Sequence, residues 1–170
     1  MELEKLIRDV PDFPKAGIIF KDITTLLQDG EAFHQAMNQM LKKYLDANID
    51  KVVGIEARGF ILGGVLAYKL GCGFVPARKP GKLPARTIRE EYTLEYGSSA
   101  LEIHQDSINP REKVLIVDDL LATGGTALAT AKLVEKLGGE VLGIEFLIEL
   151  GFLKGREKLL KYPLSSLIVY

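Results

Sequence analysis

The run Val114-Leu115-Ile116-Val117 is apolar at every position and leads straight into Asp118 and Asp119. Four apolar residues without polar alternation fit a strand covered on both faces, as in a parallel sheet packed between helices. Further strands are predicted at Lys51–Ile55, Gly73–Ala77, Ala100–Gln105, Glu140–Leu150 and Leu167–Tyr170. Between them lie helical stretches. Residues 29–46 place Phe33, Ala36, Met37, Met40, Leu41, Tyr44 and Leu45 at helical spacing behind a capping Asp29. A second helix is predicted from Gly59 to Leu70 with Gly71 as its stop, a third over Gly124–Leu137, and a short one near Gly155–Leu160. Such alternation predicts a doubly wound α/β domain, its mainly parallel sheet flanked by helices. Ligands in these sheets bind beyond the carboxyl ends of the strands, so the residues that follow each strand are the candidates for function.

A chain of 170 residues suits a single domain spanning 1–170. Its formal net charge of −1 supplies no basic excess for nucleic acid. No apolar stretch reaches the ~18 residues of a membrane-spanning helix. Cys72, the only cysteine, excludes an internal disulfide and reads as a small buried hydrophobe. Together with a charged start lacking a signal-peptide core, it predicts a cytoplasmic protein. His34 and His104 have no partner at ligand spacing, so both read as structural and no protein-built metal site is predicted.

Behind the two aspartates comes Leu120-Leu121-Ala122-Thr123-Gly124-Gly125-Thr126, a turn that opens a helix. A helix N-terminus presents unpaired N–H groups and a positive dipole end, both suited to phosphate. Gly124 and Gly125 allow close backbone approach, and the hydroxyls of Thr123 and Thr126 can donate further bonds. An acidic pair beside an anion site would repel a bare phosphate. It suits a ligand with hydroxyls next to its phosphate, such as a ribose 5-phosphate. The Gly-Lys-Ser/Thr ending of a Walker loop is missing. The competing reading is a capped helix whose aspartates face solvent. Ile55-Glu56-Ala57-Arg58-Gly59-Phe60 is a second strand-to-helix turn, where helix-start amides and the Arg58 fork suit another anion. From 78 to 97, Pro80, Gly81 and Pro84 interrupt regular structure, and Arg78, Lys79 and Lys82 make the segment basic. It reads as a lid or a hairpin excursion, with a solvated basic loop as the alternative.

The run from Val114 to Thr126 resembles the phosphoribosyl-pyrophosphate motif of type I phosphoribosyltransferases. Its double leucine before Ala-Thr-Gly-Gly-Thr is most similar to the adenine-specific branch. Three further segments match in the same order: Phe13–Ile23, Glu56–Phe60, and Lys79–Pro84 through Tyr92–Gly97. The resemblance implies an N-terminal hood over 1–28, a flexible active-site loop over 78–97, and a non-proline cis peptide in the Glu56–Gly59 turn. It implies that adenine and phosphoribosyl pyrophosphate give AMP and pyrophosphate, with Mg²⁺ carried by the substrate pyrophosphate, in a homodimer. By this resemblance Asp118 and Asp119 hold the ribose hydroxyls, and Ala122, Thr123, Gly124, Gly125 and Thr126 bind the 5-phosphate. Arg58, Arg78, Lys79 and Lys82 serve the pyrophosphate, and Glu95 exchanges a proton with the base. Phe20 and Leu120 form walls around the purine while the backbone of Ile19 and Lys21 meets its edge. Family members often carry Arg where this chain has Lys21. A 6-oxo purine as acceptor, or a non-enzymatic regulator that binds the activated sugar, are the alternative functions.

Overall fold

The computed structural model describes residues 2–93 and 98–170. Five strands form one parallel sheet: β3 (Lys51–Ile55), β4 (Gly73–Ala77), β7 (Lys113–Leu121), β8 (Glu140–Glu149) and β9 (Leu164–Val169), in the order β4-β3-β7-β8-β9. The continuous apolar run of β7 has the expected cause. Leu115 and Val117 point into one core and Val114 and Ile116 into another, and all four are fully buried. The first core lies under α2 (Gly30–Leu41) and α3 (Arg58–Leu70), the second under α4 (Gly125–Lys136). From β3 the chain runs through α3 to β4 on one side, then returns to lay β7 on the other. The strand order reverses between β3 and β7, which opens a crevice at their carboxyl ends.

Local chemistry sets the element ends. The Asp29 carboxylate accepts from the N–H of Ala32 at 3.0 Å and caps α2. The predicted helix over 29–46 stops at Leu41, because tighter turns then tuck Tyr44 inward, where its hydroxyl donates to Glu145 of β8 at 2.9 Å. Gly71, at φ 67°, ends α3 as predicted. Part of the segment 78–97 is regular: β5 (Thr87–Thr93) pairs antiparallel with β6 (Ser98–His104). The strand predicted at Ala100–Gln105 therefore belongs to this pair and not to the main sheet. The last strand begins three residues earlier than expected, at Leu164, because Ser165 and Ser166 hid its start. Ser166 donates to Glu149 at 2.6 Å.

The N-terminal segment forms β1 (Arg8–Pro11), β2 (Ile19–Asp22) and a short helix α1 (Thr24–Gln28). β1 and β2 pair antiparallel, and Arg8 clasps Asp22 at the end of the ladder. Leu3, Ile7, Ile23 and Leu26 anchor this hood in the first core. Cys72 is half-buried against that core. Among the described residues no helix is long and apolar enough to cross a membrane.

Candidate active site

β7 runs on past the two aspartates to Leu121, so both carboxylates lie within the strand rather than beyond it. A backbone N–H from Asp119 donates to the Asp118 carboxylate at 2.9 Å. Asp119 is 5% exposed, and its carboxylate accepts from Arg58 Nε at 2.5 Å. Arg58 opens α3 and also faces the Phe20 ring, 5.2 Å from its centroid. It thereby bridges the hood, the turn after β3 and the acids of β7. Burial, and then the negative charge of Asp119, push the Asp118 carboxyl well above its ordinary range. Asp118 keeps an outlet through a small pocket of about 70 Å³, shared with Leu120, Ala122, Thr123, Gly124 and Thr126.

That pocket lies at the head of α4, at the position expected for a phosphate cradle. Gly124 precedes the helix at φ 79°, a left-handed conformation that favours glycine, and its carbonyl accepts from Leu128 N–H at 3.0 Å. Gly155 presses on the cradle from outside. A Cβ on Gly155 would overlap the Ala122 carbonyl oxygen, and one on Gly124 would lie 2.5 Å from the Gly155 carbonyl oxygen. Gly155 is held in turn by its neighbour. Arg156 donates twice to the buried Glu149 carboxylate, at 3.1 and 2.5 Å, and once to the Leu164 carbonyl. Sequence reasoning missed this buttress, because neither Gly155 nor Glu149 carries a motif and the approach of Gly155 to Ala122 and Gly124 joins segments far apart in the chain.

The turn after β3 contains a cis peptide between Glu56 and Ala57, as the resemblance implied. Arg78 donates to Glu56 at 3.0 Å, and Lys82 lies 3.7 Å from the same carboxylate. Burial pushes the Glu56 carboxyl up. The Arg78 bond, the Lys79 backbone N–H and the charges of Lys82 and Arg78 outweigh it and hold the group low and ionised. Lys79 and Lys82 are exposed. Two of the predicted cations, Arg78 and Lys82, therefore gather around Glu56, an internal counter-ion that sequence reasoning did not assign, while Lys79 meets it through its backbone N–H. Glu95 lies outside the described residues.

Beside the cradle opens a mostly apolar cleft of about 570 Å³, and Thr123 lines both. Ile18, Ile19 and Lys21 of the hood form one wall; Leu150, Phe152, Leu153 and Tyr170 form the other. Phe20 is half-buried, packed edge-on against Phe13 at 5.2 Å, and belongs to neither core. Leu120 sits in the small pocket and packs against the first core. Phe152, 71% exposed, had no signal in the sequence: an aromatic in a short connecting turn reads like any other loop residue. His34 lies against Asn38, and His104 Nε2 accepts from the Ala85 N–H at 3.3 Å. Among the described residues no three His, Cys, Asp or Glu side chains cluster as a metal site.

Residues 24–165 match the Phosphoribosyl transferase domain family. The chain belongs to the phosphoribosyltransferase family, in its adenine phosphoribosyltransferase branch. An adenine phosphoribosyltransferase of Alkaliphilus metalliredigens is 61% identical over the full length of both chains. Solved structures agree. The adenine phosphoribosyltransferase of Thermoanaerobacter pseudethanolicus superposes with a TM-score of 0.94 at 56% identity, covering 99% of this chain and 98% of that one. The Saccharomyces cerevisiae enzyme, solved with an imino-altritol bisphosphate and adenine, gives 0.92 at 40% identity, covering 98% and 96%. This phosphoribosyltransferase is accordingly an enzyme that transfers a pentosyl group.

Proposed function

We propose that this phosphoribosyltransferase converts adenine and 5-phosphoribosyl 1-pyrophosphate into AMP and pyrophosphate, a purine-salvage reaction, through the division of labour that follows. One observation carries the reading. The glycine-lined cradle, the Asp118–Asp119 pair and the apolar cleft adjoin in a single crevice, with Thr123 common to cradle and cleft. A phosphate, a ribose and a purine in series need that succession of surfaces.

The amides of Gly124, Gly125 and Thr126, with the Thr123 and Thr126 hydroxyls, receive the 5-phosphate. Asp118 and Asp119 accept from the ribose hydroxyls and favour the positive charge that builds at C1′. The N9–C1′ bond forms as the C1′–O bond to pyrophosphate breaks, and the bonding pair leaves with pyrophosphate. The proton released by adenine passes to Glu95. Arg58, Arg78, Lys79 and Lys82 stabilise the leaving group, with Arg78 and Lys82 drawn from their Glu56 counter-ion as pyrophosphate arrives. Two neighbouring carboxylates, one already paired with Arg58, are too few to cage Mg²⁺. They suit an ion that comes with the pyrophosphate oxygens and offsets their charge. The segment 78–97 closes over the reactants and excludes water, which would hydrolyse the activated sugar. The backbone of Ile19 and Lys21 meets the purine edge, where the wrong base would leave buried polar groups unpaired. The working form is a homodimer in the cytoplasm.

Competition among adenine, hypoxanthine and guanine for the activated sugar tests this reading. AMP should be the dominant product. Turnover of the 6-oxo bases alone would reject adenine as the acceptor, and tight sugar binding without any turnover would mark a regulator.

A further inference from the structure

The base of the hood is anchored in the core, but above the cleft it is held by the side chain of Lys21. The Lys21 ammonium lies 3.7 Å from the centre of the Tyr170 ring and 2.7 Å from the Asp9 carboxylate across the hairpin. The Lys21 side chain is only 14% exposed, unusual for a group so strongly hydrated. Removal from water has to be offset, and these two partners offset it. Tyr170 is itself fixed to the main body. Its N–H donates to the Glu149 carbonyl and its carbonyl accepts from Gly151 N–H, both at 2.9 Å. Asp9 belongs to the hood, so of the two contacts only that with Tyr170 joins hood to body. Lys21 and Tyr170 also line the cleft together.

We infer that Tyr170 is a positioning residue for the base. By holding the Lys21 ammonium against its ring, it sets the height of β2 above the cleft. That fixes the peptide groups of Ile19 and Lys21, and with them the Phe20 ring on the same strand. The inference rests on the reading of the cleft as the adenine site. The phosphate cradle is built on β7 and α4, which this contact does not touch, so the effect falls on the base and spares the sugar.

Steady-state kinetics of Tyr170→Leu, Tyr170→Phe, Lys21→Met and the Tyr170→Leu/Lys21→Met double variant test it. Tyr170→Leu should raise KM for adenine about five- to tenfold, the usual scale of a partly desolvated cation–aromatic contact. KM for the activated sugar and kcat should stay within about twofold of wild type on that reasoning. Tyr170→Phe keeps the ring face and should restore the adenine KM. Lys21→Met breaks the same contact from the hood side and should match Tyr170→Leu; the double variant should be no worse than either, since both remove one interaction. It also covers the case in which Tyr170→Leu fails to fold. An unchanged adenine KM in an active Tyr170→Leu or Lys21→Met enzyme would overturn the inference alone, as would full additivity or a Tyr170→Phe as impaired as Tyr170→Leu. A wild type that uses only 6-oxo purines would overturn the adenine reading first and the inference with it.

Discussion

Gly155→Ala should weaken sugar binding although residue 155 lies outside every recognised motif. The added Cβ would overlap the Ala122 carbonyl oxygen and come within 3.0 Å of Gly124 N. Both neighbours are backbone, so no flexible side chain can yield. Forcing a methyl group into such a contact costs about 1–3 kcal/mol. The side that moves is the cradle. Gly155 is held by the doubly bonded Arg156–Glu149 pair and by Leu159 in the second core, whereas residues 122–124 form an open turn. If the displacement appears in the cradle, KM for 5-phosphoribosyl 1-pyrophosphate should rise roughly five- to 150-fold, since each ~1.4 kcal/mol is tenfold. KM for adenine should change far less. Steady-state kinetics, with calorimetric binding of AMP as a second readout, would measure this. Gly30→Ala is the control, because nothing lies within 4 Å of the added methyl. A Gly155→Ala enzyme with unchanged sugar KM and unchanged melting temperature would refute the steric reasoning.

Other predictions concern charge. Glu95→Gln should lower turnover by about 10²-fold or more while leaving sugar binding largely intact, if Glu95 takes the base proton; unchanged turnover in a rapid-quench assay would remove it from the mechanism. Asp118 is held well above the ordinary carboxyl range by burial and by Asp119, so the free site keeps its proton to higher pH than an ordinary carboxyl does. Ribose hydroxyls favour the carboxylate, so sugar binding should release protons and tighten as pH rises toward the free-site pKa; buffer-dependent calorimetry showing no proton release would contradict this. Asp22 titrates at about 2 instead of 3.8, chiefly because the Thr24 backbone N–H and then Arg8 favour its anion. Its contribution to the hood is therefore complete above pH 3.8 and is lost as pH falls toward 2. Hydrogen exchange in β1 and β2 should quicken over that window, and Asp22→Asn should abolish the pH dependence.

The sheet was legible because its strands carry the signature of burial. The Val114–Val117 run needs two covered faces and has them, and Gly71 and Asp29 end or start helices by chemistry that depends on a few neighbours. The cradle was legible for the same reason: it is local, one strand, one turn and one helix mouth. What escaped was long-range. The segment 78–97 reads as a lid or a hairpin excursion, but the extent of Thr87–Thr93 as a strand shows only once its partner across residues 94–97 is known. Gly155 and Glu149 matter through loops that meet only in the folded chain. Leu150, Phe152, Leu153 and Tyr170 become a cleft wall only when β8 and β9 lie side by side and the hood folds across them. The cations Arg78 and Lys82 were readable as cations, but not their gathering on Glu56, which depends on the end of β3 lying beside the end of β4.

A crystal structure of the chain with AMP bound would test the central claim most directly. The account predicts the 5′-phosphate on the amides of Gly124–Thr126, the ribose hydroxyls on Asp118 and Asp119, and the purine between Phe20 and Leu120. A phosphate seated elsewhere, or a ribose making no contact with either aspartate, would contradict it.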